Sequence, residues 1–284
     1  MPMVTAIHAW AEGRAMDLII ILFFLVSLLS SVAGSICGIG GGVIIKPVLD
    51  ATGVMSVSGI SFLSGCTVLA MSLVSVYKSL RAGAVRLQFK ISTALALGAA
   101  AGGIAGKSMF EGLKRAVGDE ALVGLVQAVV LLLITFATLL YTLHKQKIQT
   151  ERCGQLWLCA FIGLLLGIMS SFLGIGGGPI NLVVLGYFFS MTTKEAALSS
   201  LYIILFSQMT SLLNTLRTGT VPQVRLSYLA VMVAGGILGG MLGSQINRKI
   251  KEEWVDRLFI VLMVAIMGIN VYNAVRFGGG MVFG

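Results

Sequence analysis

Eight apolar runs separated by short polar stretches constrain this chain more than any other feature. A helix rises about 1.5 Å per residue and the hydrocarbon core of a bilayer is about 30 Å thick, so about twenty residues span it. The runs fall at about 18–34, 57–80, 91–110, 121–143, 156–173, 196–216, 226–246 and 255–275. They are continuous, not the ten-residue alternating segments of a membrane β-barrel. Charged residues make up 11% of the chain and hydrophobic ones 57%, whereas soluble domains carry about 25% charged residues. The expected fold class is an all-α, polytopic membrane protein of about eight transmembrane helices, with the lipid bilayer as a partner. The net charge of +9 does not imply nucleic acid, because the basic residues lie between the runs, where topology signals sit.

One pentapeptide occurs twice, as Gly38-Ile39-Gly40-Gly41-Gly42 and as Gly174-Ile175-Gly176-Gly177-Gly178. Each copy closes an apolar run and opens a shorter one, at 43–49 and 180–189. Each glycine costs a helix about 1 kcal/mol relative to alanine, so the helix breaks at both places. In lipid a broken backbone persists only where protein buries it or where it lines a cavity. Matched breaks in two halves of a chain point to a transporter's substrate site. As one straight helix, residues 18–49 would be about 48 Å long, too long for the hydrocarbon core. The segment beyond the break therefore either folds back as a re-entrant half-helix or continues at an angle. Both choices place helix N-termini beside the glycines. Successive amides of a Gly-rich turn form an anion-binding nest, and the following helix adds about half a positive charge. Two such starts on one cavity would hold a small oxyanion without a buried arginine. A dinucleotide site is excluded, since the sixth residue is Val43 or Pro179 instead of glycine.

The halves align as homologous repeats. An offset of 136 carries Gly38 onto Gly174, Ser64 onto Ser200, Ser75 onto Ser211, Arg81 onto Arg217 and Gly83 onto Gly219. An offset of 137 then carries Gly98, Gly102 and Gly106 onto Gly235, Gly239 and Gly243. The expected organisation is an interfacial segment over 1–17, with His8 and Trp10 at the headgroups, a first repeat over 18–143, a linker over 144–153 and a second repeat over 154–284. Eight crossings make the repeats parallel and put both termini on the linker's side. That side would then hold 11 of the 20 Lys and Arg residues, which favours cytoplasmic termini. If the glycine segments cross as well, each half has an odd count and the repeats are inverted.

The candidate substrate-binding residues are Gly38, Gly40, Gly41 and Gly42 with Gly174, Gly176, Gly177 and Gly178, assisted by Asn181 in the first turn after the second break. Lys46 is the cation nearest a break; it either draws an anion or snorkels to a surface. Ser64, Ser200 and Gln208, on the second and sixth crossings, can donate to an oxyanion or bond helices together. Arg81 and Arg217, each followed two residues later by glycine, read as structural turns or as an entrance, and the glycine ridges as close helix packing. Cys37 either lines the pathway or is a small buried side chain, and the four cysteines show no metal or disulfide spacing. No Asp or Glu falls mid-crossing, so a proton-relay carboxylate is missing. There is no nucleophile–base grouping, so no enzyme activity, metal or other cofactor is expected.

The paired Gly-x-Gly-Gly-Gly motifs, the Arg-x-Gly turns and the later glycine ridges resemble the sulfite exporter TauE/SafE family over about residues 18–275. The first copy keeps a proline after its glycines at Pro47, and the second carries it at Pro179. The resemblance implies a multi-pass protein of the bacterial inner membrane that exports sulfite or small organosulfonates, although family members also take other substrates. An inside-negative potential drives an anion outward by roughly 2.3 kcal/mol per charge per 100 mV, so such export needs neither a buried carboxylate nor an ATPase domain. An anion channel with a Gly-rich filter, a permease for another small anion and a non-transporting membrane scaffold are the rival readings. A homodimer is compatible with any of them.

Overall fold

The computed structural model describes the backbone of residues 2–83, 85–147, 149–175 and 177–282, with side chains from Asp17 onward except at 146 and 280–282. The roles expected of His8 and Trp10 fall outside the described side chains, and Gly176 lies outside the described residues altogether. The described residues are helical with no strand. In order the helices are α1 (Pro2–Cys37), α2 (Gly42–Thr52), α3 (Val57–Ala82), α4 (Phe89–Val117), α5 (Glu120–His144), α6 (Leu156–Leu173), α7 (Pro179–Phe189), α8 (Thr193–Arg217), α9 (Leu226–Lys249) and α10 (Glu252–Val282). Among the described residues, eight helices are long and apolar enough to cross a membrane; α2 and α7 are shorter.

Local chemistry ends the helices where the residues dictate. Gly53, Gly83, Gly118 and Gly174 stop α2, α3, α4 and α6 in the left-handed conformation, which a residue without Cβ adopts at no steric cost. Thr192 and Glu195 form a capping box at the start of α8, satisfying two otherwise orphaned amides.

Packing directions follow from the glycine ridges. A methyl added at Gly98, Gly102 or Gly106 of α4 would strike the carbonyls of Ala160, Leu164 and Ile168, so α4 and α6 lie parallel in backbone contact. On α9, Gly235, Gly239 and Gly243 lie in the same way against Phe24, Leu28 and Val32 of α1. Those partners, too, are related by an offset of 136. Each ridge therefore packs against the first helix of the other half, and the halves interlock. Likewise α3 runs parallel to α9, with Thr67 at Gly236 and Met71 at Gly240, and α8 runs parallel to α4, with Ser199 at Ser92 and Ser207 at Gly103.

The short helices turn back. Gly41 lies against Ser30 and Ser31 of α1, and Ile45 and Leu49 of α2 pack with Phe23, much earlier in α1. Alongside, α10 starts at Cys37, whose thiol faces Val255 O, and reaches Pro47 and Asp50 through Asn273 and Arg276. In the second half, Glu151 and Cys153, just before α6, donate to Tyr187 O and Phe188 O at the end of α7. So α2 returns to the face where α1 began, and α7 to the face where α6 began. Each half thus reverses direction four times over five helices. The linker at 145–155, the α3–α4 turn and the α9–α10 turn share one face, here the linker face. The ends of α2, α4 and α8 and the end of α10 share the other, the terminal face. This corrects the parallel arrangement expected from eight simple crossings: the termini and the 218–225 loop lie opposite the linker. The physical reason is that the glycine segments fold back as full reversals of the chain.

Candidate functional site

The first break is built from two left-handed glycines. Gly38 and Gly40 have φ of 76° and 74°, and the amides of Gly38 and Ile39 both donate to Gly34 O, at 2.8 and 3.2 Å. The second has Gly174 and Gly177 at φ of 66° and 131°, then Pro179 at the first helical position, where a missing N–H is not needed. Neither α2 nor α7 has a side-chain cap.

The two breaks touch. A methyl on Gly42 would collide with the Ile175 carbonyl of the other break and lie 2.9 Å from Ser64 Oγ. Gly38 lies against Ala197 of α8, and Gly174 against Ser61 of α3, whose Oγ would be 2.6 Å from an added methyl. Ala197 and Ser61 correspond at the offset of 136. Gly177 is covered by Ile204. Residues 38–42 are all buried, and Gly38, Gly40, Gly41 and Gly42 line none of the clefts described below. The open space expected between two facing helix starts is thus occupied by the other break's own backbone.

Polar groups gather instead in two clefts flanking this contact. The cleft toward the terminal face is lined by Ser61, Lys107, Ser171, Gly174, Gln208 and Ser211, among others. Three buried atoms there, Ser61 Oγ, Ser171 Oγ and Gln208 Nε2, have no hydrogen-bond partner. A buried polar atom left unsatisfied costs about 1–3 kcal/mol, so the three together leave a polar gap in an otherwise packed interior. All three can donate. Lys107 adds a cation, paired to Glu111 at 3.1 Å and set 4.8 Å over the Phe110 ring. The cleft toward the linker face is lined by Ser35, Ser79, Lys194, Ala197, Asn247 and Arg248, among others. Ser35, Ser79 and Ala197 correspond to Ser171, Thr215 and Ser61 at the offset of 136, and Asn247 to Phe110 at 137.

The other sequence candidates separate. Asn181 donates through Nδ2 to Ser200 Oγ at 3.3 Å, while its Oδ1 has no partner. It shares a small pocket with Gly177, Gly178 and Ser170. Ser64 Oγ is buried and unpartnered beside Gly42. Lys46 stands apart. Its Nζ lies 2.7 Å from Asp50 Oδ2, both side chains being buried, while α10 closes over them through Asn273 to Pro47 O and Arg276 to Asp50 O, each at 2.8 Å. Lys46 is therefore neither snorkelling nor aimed at the break. Cys37 is fully buried, with its thiol 3.9 Å from Val255 O, at the edge of a cavity of about 300 Å³ near the linker.

The Lys46–Asp50 pair yields a stability prediction. Lys46→Met should destabilise the fold by about 3–5 kcal/mol, because it removes the cation hydrogen-bonded to a buried carboxylate. The double variant Lys46→Met, Asp50→Leu should recover most of that loss. Thermal unfolding of the detergent-solubilised protein reads both; an equal loss in the two variants would refute the pairing.

Residues not among the sequence candidates also line the clefts: Ser171, Lys107, Lys194 and Arg248. One signal for Ser171 was present. It lies three residues before a break, and the offset of 136 pairs it with Ser35. Lys107 had a weaker signal, as a cation within a glycine ridge.

The family described as Sulfite exporter TauE/SafE matches over residues 23–271. Over 114 residues the chain is 25% identical to the Probable membrane transporter protein YunE of Bacillus subtilis (strain 168), a match covering 40% of this chain and 41% of that protein. The aligned region is thus less than half of that relative's length. No solved structure matches the chain.

Proposed function

Because the chain belongs to the sulfite exporter TauE/SafE family and is a multi-pass membrane transporter, we propose that it exports small sulfur-containing anions, sulfite or an organosulfonate, across the bacterial inner membrane. The observation that carries this reading is the trio of unpartnered buried donors, Ser61 Oγ, Ser171 Oγ and Gln208 Nε2, beside Gly174 and Lys107. An oxyanion presents several acceptor oxygens at once, and hydrogen bonds to a charged group contribute about 1.5–3 kcal/mol each. The glycine breaks act with this cleft by bringing two uncapped helix starts to the middle of the molecule, where their dipoles favour negative charge. The halves act as inverted repeats, so the linker-face cleft is the partner of the terminal-face cleft when the substrate crosses. Asn181, Ser64 and Ser200 line the passage between them. Contact between Gly42 and Ile175 supports a carrier over an open filter, since the two breaks must part for cargo to pass.

The test is flux in proteoliposomes loaded with sulfite, methanesulfonate or chloride. Saturable sulfite or methanesulfonate flux, with little for chloride, is the expected result. Chloride flux alone would overturn the cargo. Unitary currents in a planar bilayer would replace the carrier with a channel.

A further inference from the structure

We infer that the linker-face cleft, with Lys194 and Arg248 at its mouth, is the cytoplasmic loading site for the anion, and that both chain termini lie on the opposite side of the membrane. The inference rests on the anion-export reading and adds to it a loading site, a direction and an orientation.

The first observation is an asymmetry between clefts that otherwise correspond. In the terminal-face cleft, Lys107 is neutralised by Glu111 at 3.1 Å. At offset 137 those two positions hold Ser244 and Arg248 in the linker-face cleft. Lys194 replaces Ser58, which at its own position bonds to Lys114 and Glu120. Among the described residues, no carboxylate comes within 4.0 Å of Lys194 or Arg248. The adjacent Glu195 is occupied in capping Thr192. The linker-face mouth therefore carries two positive charges without an ion-pair partner, one half-buried and one exposed, above Ser79 and above Ser35 and Asn247, which donate to Gly240 O and Ile36 O. A cleft lined by one sign of charge raises the local concentration of its counter-ion by roughly ten-fold or more.

The second observation is independent of the cleft. With the helix directions above, residues 78–90, 144–152, 190–195 and 247–257 all belong to the linker face or its helix ends, and they hold twelve of the chain's 20 Lys and Arg residues. Of the other eight, Lys46 is consumed in a buried pair. Loops rich in Lys and Arg stay in the cytoplasm. The linker face is then cytoplasmic, its unpaired cations gather anions from the cytoplasm, and the neutralised terminal-face cleft releases them outward along the membrane potential.

Orientation is tested in cells with the full chain fused at its C-terminus to alkaline phosphatase or to green fluorescent protein. An active phosphatase with a dark fluorescent protein is expected, and the reverse pattern overturns the orientation. Loading is tested with purified protein in proteoliposomes of defined orientation, with sulfite as the probe. Lys194→Gln together with Arg248→Gln should raise KM about ten-fold for sulfite offered at the linker face, leaving the value at the terminal face within two-fold. Arg248→Lys should restore most of the loss, and added salt should reproduce the effect of the double variant at the linker face alone. Equal KM changes at the two faces, or none at either, overturn the loading site. Absence of sulfite flux in the unmodified protein would instead remove the export reading on which the inference stands.

Discussion

Gly42→Ala should destabilise the protein by about 3 kcal/mol, the upper end for forcing extra volume into a packed core, while Gly178→Ala should shift stability by less than about 1 kcal/mol. The two glycines occupy the same place in the two pentapeptides, so the motif alone predicts equal effects. Their surroundings differ. A methyl on Gly42 would meet the Ile175 carbonyl oxygen and would lie 2.6 Å from the carbonyl carbon. Backbone from another segment cannot swing aside as a side-chain tip can. A methyl on Gly178 would meet only Ile175 Cδ1, at 3.4 Å, and its φ of −165° is extended backbone open to any residue. Thermal unfolding in detergent should show Tm lower by roughly 6–12 °C for the first variant and nearly unchanged for the second, on a scale of about 2–4 °C per kcal/mol. Similar losses in the two would mean that the breaks do not meet as described.

Gln208→Leu should reduce sulfite transport by about 10- to 100-fold while leaving the fold as stable or stabilising it by about 1 kcal/mol. Its Nε2 is buried without a partner, so the empty protein already bears the cost of desolvating it. Leucine has nearly the same length and removes that cost. The anion proposed to bind there would, by contrast, lose a donor, and a hydrogen bond to a charged group at about 1.5–3 kcal/mol corresponds to about 10- to 150-fold in affinity. Transport and stability thus move in opposite directions, which a purely structural glutamine would not produce. If flux and Tm fell together, Gln208 would be a helix-bonding residue and the cleft would lose its principal donor.

Much of the architecture was legible residue by residue. Hydropathy located the eight long helices because a lipid-spanning helix must be apolar for about twenty residues. Glycine located the breaks, the left-handed stop at Gly83 and the ridges at Gly98 and Gly235, because a missing side chain has direct local consequences. The candidate site was less legible. Gln208 stood out as an amide in an apolar run, but Ser171 and Lys107 acquire meaning only when α6 and α4 bring them beside α3 and α8. Lys46 was the reverse case. Nearness to the glycines suggested a role there, but one helical turn onward lies Asp50, and the pair turns toward α10 instead.

The amino-acid order by itself determined the helices, where they stop and which stretches cannot stay helical, since hydropathy and backbone freedom act over a few neighbouring residues. The tertiary structure alone decided that α2 and α7 double back, that each glycine ridge rests on the other half, and that the termini face away from the linker. Those outcomes depend on contacts between residues more than a hundred positions apart, such as Gly42 with Ile175 and Gly235 with Phe24, and no local preference encodes which distant surface a segment will meet.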